Sequence, residues 1–399
     1  MMIRRLRHSI GAHIPERWMG FAGATYTMAA HPFALANPVR RNELLNGLER
    51  ALGRTTLWSY PLTVGINTSN ICNQHCRFCF TDNARMRQKN WLTADVFEGM
   101  TWLRHVPSIC LSSGLGDPLV NPHFAEIAAT VRRIAPRSSI FCFTNGQALS
   151  GANLDAIVHN FSWLHVSVNA VREDTYSAII QGDYQRMMTN LRELARRRPK
   201  SLKVELSLVL VKQNVGDVKP LIDFASECGF EQVSVCHYVA WTDETTPDLL
   251  GATESVRNDP DVVRELKALA EYSKTKRVSF YFPQTNVPLG QCQEPWTSAF
   301  LTTDEWGERT LTVCCSGSYM NLYTDLASYR DFRRIWNSDR MRMLRRTVNA
   351  PTSEQNTLCR LCRMADKMEP DWIERVNASH LPDVHFGICC PYVFERETV

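Results

Sequence analysis

The sequence predicts an α/β fold of six strand-helix units, with a helical extension before them and a small cysteine-rich domain after them. Three observations carry this expectation. Short β-rich runs alternate with longer amphipathic ones from residue 61, a tight group of cysteines follows the first run, and cysteines return beyond about residue 285. Such alternation specifies parallel strands joined by helical crossovers. Six units are too few for a closed eight-stranded barrel, and ligand chemistry should gather at the carboxyl ends of the strands.

The composition sets outer bounds. At 399 residues, 44% hydrophobic and 22% charged, the chain is long enough for one large core and a smaller domain. A formal net charge of +4 does not argue for a nucleic-acid partner, and Arg196-Arg197-Arg198-Pro199-Lys200 reads as the solvated end of a helix. No uninterrupted apolar run reaches membrane-spanning length, so no membrane partner is expected. Fourteen cysteines without a convincing secretion signal point to a reducing compartment, the cytoplasm by default, where clustered thiols serve as metal ligands. Met1 to Asn42 reads as an N-terminal extension. The apolar centre that a signal peptide needs is broken by Thr25, Tyr26, Thr27, His31 and Pro32, and a transit peptide is the alternative.

In chain order, residues 1–60 form an extension of unknown role, with a helical stretch from Arg41 to Leu52. Residues 61–285 hold the strand-helix units. Strands are expected at Val64–Ile66, Ile109–Leu111, Ile140–Phe143, Leu164–Val168, Val204–Val211 and Val233–Cys236. Helices are expected near Ala94–Arg104, His123–Ile134, Asn153–Asn160, Tyr184–Arg197 and Val218–Cys228. Cys110, Cys142, Cys228 and Cys236 sit within apolar patterns and read as small buried hydrophobes. Residues 240–262 shift to Thr, Asp, Glu, Pro and Gly, a loop or linker whose Asp243, Glu244, Asp248 and Glu254 are assigned no catalytic role. Residues 286–399 form the cysteine-rich domain.

The organising stretch is Cys72-Asn73-Gln74-His75-Cys76-Arg77-Phe78-Cys79. Three soft thiolates on one short loop can hold three corners of an iron-sulfur cluster, leaving one iron without a protein ligand. A partial zinc site is the alternative, although no fourth ligand with zinc-ribbon rhythm follows Cys79. This spacing, with aromatic Phe78 before the third cysteine, resembles the signature of the radical S-adenosylmethionine (SAM) superfamily. The resemblance implies a six-unit partial (β/α)6 TIM-like barrel and a 4Fe-4S cluster on Cys72, Cys76 and Cys79 whose open iron binds SAM. It also implies SAM contacts. Ser112-Ser113-Gly114-Leu115-Gly116-Asp117-Pro118-Leu119 is similar to the family's glycine-rich segment for the methionine amino group, giving Gly114, Gly116 and Asp117. Asp117 stands where glutamate is more usual, and Leu115 where a second glycine is common. Thr144-Asn145-Gly146 resembles a recurrent loop of the fold and is also an ordinary turn. Alternation puts Ser167 and Asn169 on one face at the end of the fourth strand, where they would contact SAM by resemblance or simply cap the strand.

The C-terminal cysteines resemble the auxiliary-cluster domain of the SPASM/twitch subfamily. Cys292-Gln293-Glu294-Pro295-Trp296, Cys314-Cys315, Ile335-Trp336-Asn337, Leu344-Arg345 and Cys359-Arg360-Leu361-Cys362 carry that likeness. It implies an auxiliary 4Fe-4S cluster on Cys292, Cys314, Cys359 and Cys362, with Cys314 chosen over Cys315 by register. Only Cys389 and Cys390 follow, which favours the single-cluster twitch type. A zinc ribbon on the same four positions is the alternative.

These resemblances imply a radical SAM oxidoreductase that dehydrogenates a small molecule, with the auxiliary cluster as electron acceptor and an electron donor such as flavodoxin or ferredoxin. The extension is too short and helical for the strand-rich peptide-recognition module of many relatives. A maturase or epimerase acting on a peptide presented by a separate protein remains the alternative within enzymes, Cys389 or Cys390 being thiols that could return a hydrogen. An iron-sulfur electron carrier or a zinc-stabilised binding module is the non-enzyme alternative. No residue is assigned as general base.

Overall fold

The computed structural model describes residues 36–79, 89–112, 116–238, 250, 252–256, 259–282, 292–303, 309–313, 322–323, 326–350, 385–387 and 392–394. Six strands fall where the sequence expected them: β1 Thr63–Ile66, β2 Ser108–Cys110, β3 Ser139–Thr144, β4 Trp163–Ser167, β5 Lys203–Leu210 and β6 Gln232–His237. They pair in sequence order and in parallel. The parallel run is longer than six, however. β7 (Ser279–Tyr281) pairs parallel to β6, and β8 (Ser298–Thr303) pairs parallel to β1 at the other side. β9 (Arg309–Thr312) and β10 (Leu322–Tyr323) continue antiparallel beyond β8. The order is β10-β9-β8-β1-β2-β3-β4-β5-β6-β7, an open sheet among the described residues. β7 has three residues and β8 is rich in Ser and Thr, so neither gives the apolar run that marked the others.

The two faces of this sheet differ. On β3 to β6, Ile140, Cys142, Leu164, Val166, Val204, Leu206, Leu208, Val233 and Val235 are buried under the crossover helices. Those helices include Phe124–Ile134, Gly151–Asn160, Tyr184–Arg197 and Val218–Glu227. Tyr184–Arg197 shows the logic well. Asp183 caps it by accepting from the Arg186 N–H, and Met187, Leu191 and Leu194 recur at helical spacing on its buried face. The opposite face carries the alternate residues, which are half-buried or exposed apart from the buried Glu205 on β5.

Two helices flanking the sheet outside the site depart from expectation, and a third is met at the site. The stretch near Ala94 to Arg104 is a short α-helix, Ala94–Glu98, followed by a 3-10 turn, Thr101–His105. Gly99 breaks it where the Arg330 side chain presses in, 2.6 Å from where a Cβ would stand. The helix Pro260–Thr275 begins inside the segment expected as loop, set off by Asp259, which accepts from the Asp261 and Val262 N–H groups, and by Pro260 at its first turn.

The helix Pro38–Ala51 and the segment after it fasten the β1 side of the sheet. Asn42 exchanges hydrogen bonds with the Tyr60 backbone, Glu49 accepts from the Trp58 and Ser59 N–H groups, and Asn46 donates to the Trp296 carbonyl at 2.7 Å. The buried Arg345 closes this region. It donates to the carbonyls of Pro295 (2.9 Å), Thr55 (2.8 Å) and Trp336 (2.8 Å), and its guanidinium lies 4.5 Å from the Trp336 ring centroid. Burial pushes its pKa down to about 9. Replacing Arg345 with Met leaves three carbonyls without their donor, and each such loss costs about 1–3 kcal/mol. Arg345→Met should therefore lower the urea midpoint markedly, whereas Arg264→Ala, which removes only an exposed pair with Asp261, should leave it unchanged.

Candidate metal centre and active site

β1 leads directly into the cysteine loop. Beyond Ile66 the polar residues Asn67, Thr68, Ser69 and Asn70 are all buried, because the carboxyl end of β1 is roofed by its neighbours. Asn121 donates to the Thr68 and Leu92 carbonyls, and Asn70 Oδ1 accepts from the Asn90 N–H. Cys72, Cys76 and Cys79 follow, each half-buried. The loop is pinned by a bond from the Arg77 N–H to the Ile179 carbonyl (2.9 Å) and one from the Cys79 N–H to the Cys76 carbonyl (2.9 Å). Phe78 packs against the core.

The donor set suits an iron-sulfur cluster. Burial pushes the Cys72 thiol up to about 12 and raises Cys76 well above the ordinary thiol range, and the three sulfurs are close enough for their charges to add to the effect. Thiolates crowded in a partly dry loop need positive charge, and iron supplies it. Among the described residues no group of three His, Cys, Asp or Glu side chains closes around a single metal ion.

Gly116 and Asp117 build the floor of this loop. Gly116 has φ +76°, and a Cβ there would stand 2.6 Å from both the Ile71 and Ser69 carbonyl oxygens. The close approach that the sequence assigned to a ligand is therefore made to the backbone before Cys72. The Asp117 N–H donates to the Ile71 carbonyl at 2.8 Å. The Asp117 carboxylate, 3% exposed, accepts from the Leu119 N–H (2.9 Å), the Asn145 N–H (2.7 Å) and the Thr144 hydroxyl (2.9 and 3.2 Å). Burial holds its carboxyl above the usual range, opposed by those same hydrogen bonds. Its two oxygens thus tie the β2 and β3 loops together.

A buried amide chain continues from there. Asn145 donates to Asn73 Oδ1 (2.8 Å) and to Cys72 Sγ (3.6 Å), while its own Oδ1 accepts from the Gln147 N–H (2.9 Å). Gln147 Nε2 donates to the Tyr176 hydroxyl (3.0 Å), as does Gln74 Nε2 (2.6 Å), and the Cys76 thiol donates to Gln74 Oε1 (3.6 Å). Sequence reasoning found the cysteines but missed these partners. The available signals were Gln74 inside the loop and Asn145 in the Thr144-Asn145-Gly146 turn, neither of which was given this role; Tyr176 lies on a helix, Glu173–Ile179, that was not expected.

At the end of β4, Ser167 is half-buried on the concave face, 3.5 Å from the Ser207 hydroxyl. Asn169 does not share that face by strand alternation, because β4 ends at Ser167 and Asn169 turns with φ +64°. Its Oδ1 accepts from the Val209 N–H (2.9 Å), and its carbonyl accepts from Asn214 (2.8 Å). These bonds cap the strand. Below Ser167 lies His165, stacked on Phe143 with ring centroids 4.4 Å apart. Its Nδ1 is 3.1 Å from Glu205 Oε2. Glu205 is buried, accepts from Gln232 (2.6 Å) and Ser234, and is held below the usual carboxyl range: burial opposes this, but His165 and Ser234 prevail. One expectation is corrected here. Cys236 is exposed, because its place on β6 puts it on the concave side while Val235 and His237 take the buried one.

Cys292 is half-buried, with its N–H on Asn349 Oδ1 at 2.8 Å. Gly114, Cys314, Cys359 and Cys362 lie outside the described residues, as do Cys315, Cys389, Cys390, Asp243, Glu244 and Asp248.

Residues 66–225 match the family model described as the radical SAM superfamily. The chain is 26% identical over 176 residues to a GTP 3',8-cyclase of Mycobacterium ulcerans, covering 42% of this chain and 47% of that protein. It is 36% identical over 63 residues to a putative L-lysine 2,3-aminomutase of Aquifex aeolicus, covering 15% of this chain and 17% of that one. The chain thus spans less than half the length of these curated relatives. In fold it is similar to SuiB of Streptococcus suis bound to S-adenosylmethionine, with a TM-score of 0.59 and 16% identity over 81% of this chain and 77% of SuiB.

Gly116→Ala tests the floor of the loop. The added methyl would meet backbone oxygens rather than a flexible side chain, and φ is positive, so the two costs add to a few kcal/mol or about that. The expected result is a lower thermal midpoint and a loss of bound iron. Gly53→Ala, at a positive φ with nothing within 4 Å, should lower the midpoint less and leave iron uptake intact.

Proposed function

We propose that the chain is a radical SAM oxidoreductase that removes two hydrogens from a small polar molecule held on the concave face of β3 to β6. The observation that carries this reading is the Cys72, Cys76 and Cys79 loop at the carboxyl end of β1, in a domain matched to the radical SAM superfamily. A reduced 4Fe-4S cluster and SAM, when bound, supply a 5'-deoxyadenosyl radical that takes a hydrogen atom from substrate. For SAM, Phe78, Gly114, Gly116, Asp117, Ser167 and Asn169 are the family-based assignments. Asp117 and Asn169 serve it through the shape of their loops, since the Asp117 oxygens and Asn169 Oδ1 already accept from the protein.

His165 is the proton acceptor in this reading. The Glu205 carboxylate lies 3.1 Å from its Nδ1, the side from which a carboxylate would steer a catalytic imidazole, so that Nε2 would be the nitrogen offered to substrate. Phe143, exposed beside it, offers a stacking surface. The auxiliary cluster on Cys292, Cys314, Cys359 and Cys362 would receive the electron, with a flavodoxin-like or ferredoxin-like protein as donor to the first cluster.

Two other readings have support. SuiB has also been solved bound to the precursor peptide SuiA, which favours a peptide as the substrate class. The exposed Cys236 favours epimerisation, in which a thiol returns a hydrogen atom to the substrate radical.

Anaerobic reconstitution with SAM and reductant, followed by screening of metabolite and peptide fractions for 5'-deoxyadenosine release, tests the reading. Protein with both clusters should contain iron and sulfide, and joint replacement of Cys72, Cys76 and Cys79 by Ala should remove about half of the iron without unfolding the chain. Zinc at both sites would end the enzyme reading. Once a substrate is found, a product two hydrogens lighter and a loss of at least tenfold in turnover for His165→Gln are expected, general-base removal being worth about 10²–10⁴-fold. An unchanged skeleton carrying one solvent deuterium, abolished by Cys236→Ala, would make the enzyme an epimerase.

A further inference from the structure

We propose that Asn145 and Gln74 are positioning residues whose amide N–H groups donate to the sulfurs of Cys72 and Cys76 and raise the reduction potential of the cluster held there, with the Tyr176 hydroxyl letting Gln74 do so. The inference rests on the cluster reading above and concerns only this chain's side chains.

Asn145 is fixed in one orientation. Its Oδ1 accepts from the Gln147 N–H at 2.9 Å, a bond that an amide flipped by half a turn would lose, so Nδ2 faces the loop. Of its two hydrogens, one goes to Asn73 Oδ1 at 2.8 Å and the other toward Cys72 Sγ at 3.6 Å. The Asn145 backbone is itself held by the Asp117 carboxylate at 2.7 Å, and the residue is 7% exposed. A donor that is buried and fastened at both ends keeps its aim when charge on the sulfur changes.

Gln74 works differently. With Cys76 as a thiol, the S–H donates to Gln74 Oε1 at 3.6 Å and Gln74 Nε2 donates to the Tyr176 hydroxyl at 2.6 Å. A metal-bound thiolate has no hydrogen to give, and an amide oxygen facing it would be repelled. Half a turn of the amide places Nε2 on the sulfur and Oε1 on Tyr176. That second arrangement is satisfied too, because Gln147 Nε2 occupies an acceptor site of the Tyr176 hydroxyl at 3.0 Å and leaves its O–H free to donate. Gly182 makes room for the amide, since a Cβ there would stand 2.8 Å from Gln74 Nε2 and 3.0 Å from the Tyr176 hydroxyl. Gln74 is 3% exposed and Tyr176 fully buried, so water cannot substitute freely for either bond. Hydrogen bonds to cluster sulfurs favour the more negative, reduced state and move the potential upward.

The test is an EPR-monitored redox titration of the anaerobically reconstituted full chain, following the signal that is absent from the joint Cys72, Cys76 and Cys79 to Ala variant. Iron is counted in parallel. Asn145→Leu and Gln74→Leu should each move the midpoint to more negative values, and Tyr176→Phe should do so by a smaller amount. Asn73→Ala should stay at the wild-type value, since it takes an acceptor from Asn145 and no donor from sulfur. Wild-type midpoints in both Leu variants at wild-type iron content would overturn the proposal, and so would an Asn73→Ala variant that reproduces the Asn145→Leu shift. Should a Leu variant fail to take up iron, Tyr176→Phe decides, because it leaves the cysteines and both amides in place; a wild-type midpoint there overturns the relay. A wild-type chain that binds no iron would instead overturn the cluster reading itself.

Discussion

The buried carboxylate of Asp117 is the constraint on which the site depends. A charge removed from water costs several kcal/mol even after relaxation, while each hydrogen bond to a charged group returns about 1.5–3 kcal/mol. Asp117 has backbone N–H donors from Leu119 and Asn145 and the Thr144 hydroxyl, yet its carboxyl is still held above the usual range. Burial thus outweighs the bonding, and the charge is not what Asp117 contributes to stability. Its contribution is geometric: one side chain sets the β2 loop against the β3 loop, and Gly116 beside it lets both sit on the backbone that leads to Cys72.

Much of the fold was legible because it depends on local pattern. Apolar runs at β3, β5 and β6 and the helical stripe at Tyr184–Arg197 are properties of short windows, and the structure places them within a residue or two. β7 and β8 escaped because their positions are set by pairing with β6 and β1, not by their own composition. Gly99 was readable as a weak point in a helix, but the cause of the break, Arg330, lies more than 200 residues away.

The site divides in the same way. Cysteine spacing is a local property, so Cys72, Cys76 and Cys79 stood out. Their partners come from two other parts of the chain, Asn145 and Gln147 from the loop after β3 and Tyr176 from a later helix, and no window of sequence holds these together with the cysteines. Asn169 shows the opposite error. Alternation was extended one step past the end of β4, where a positive φ removes the residue from the strand and commits its side chain to Val209. Cys236 was read from its apolar neighbours as buried, when strand alternation assigned it to the open face.

The register of the concave face bears on what happens to a substrate radical. His165 pairs across β5 with Glu205, and Glu205 with Gln232 on β6, so the imidazole lies in a row with its carboxylate toward the floor of that face. Cys236 pairs with Val209, two rows nearer the carboxyl ends of the strands and beyond Ser207 and Ser234. The cysteine loop rises from the carboxyl end of β1, the same end of the sheet toward which Cys236 lies. A substrate whose reacting carbon lies deep on this face has a proton acceptor beside it; one held high has a thiol. Strand spacing of about 3.3 Å per residue puts those two groups some 13 Å apart along the strand direction. In the proposed function, the depth at which substrate binds would therefore select between loss of a proton and return of a hydrogen atom.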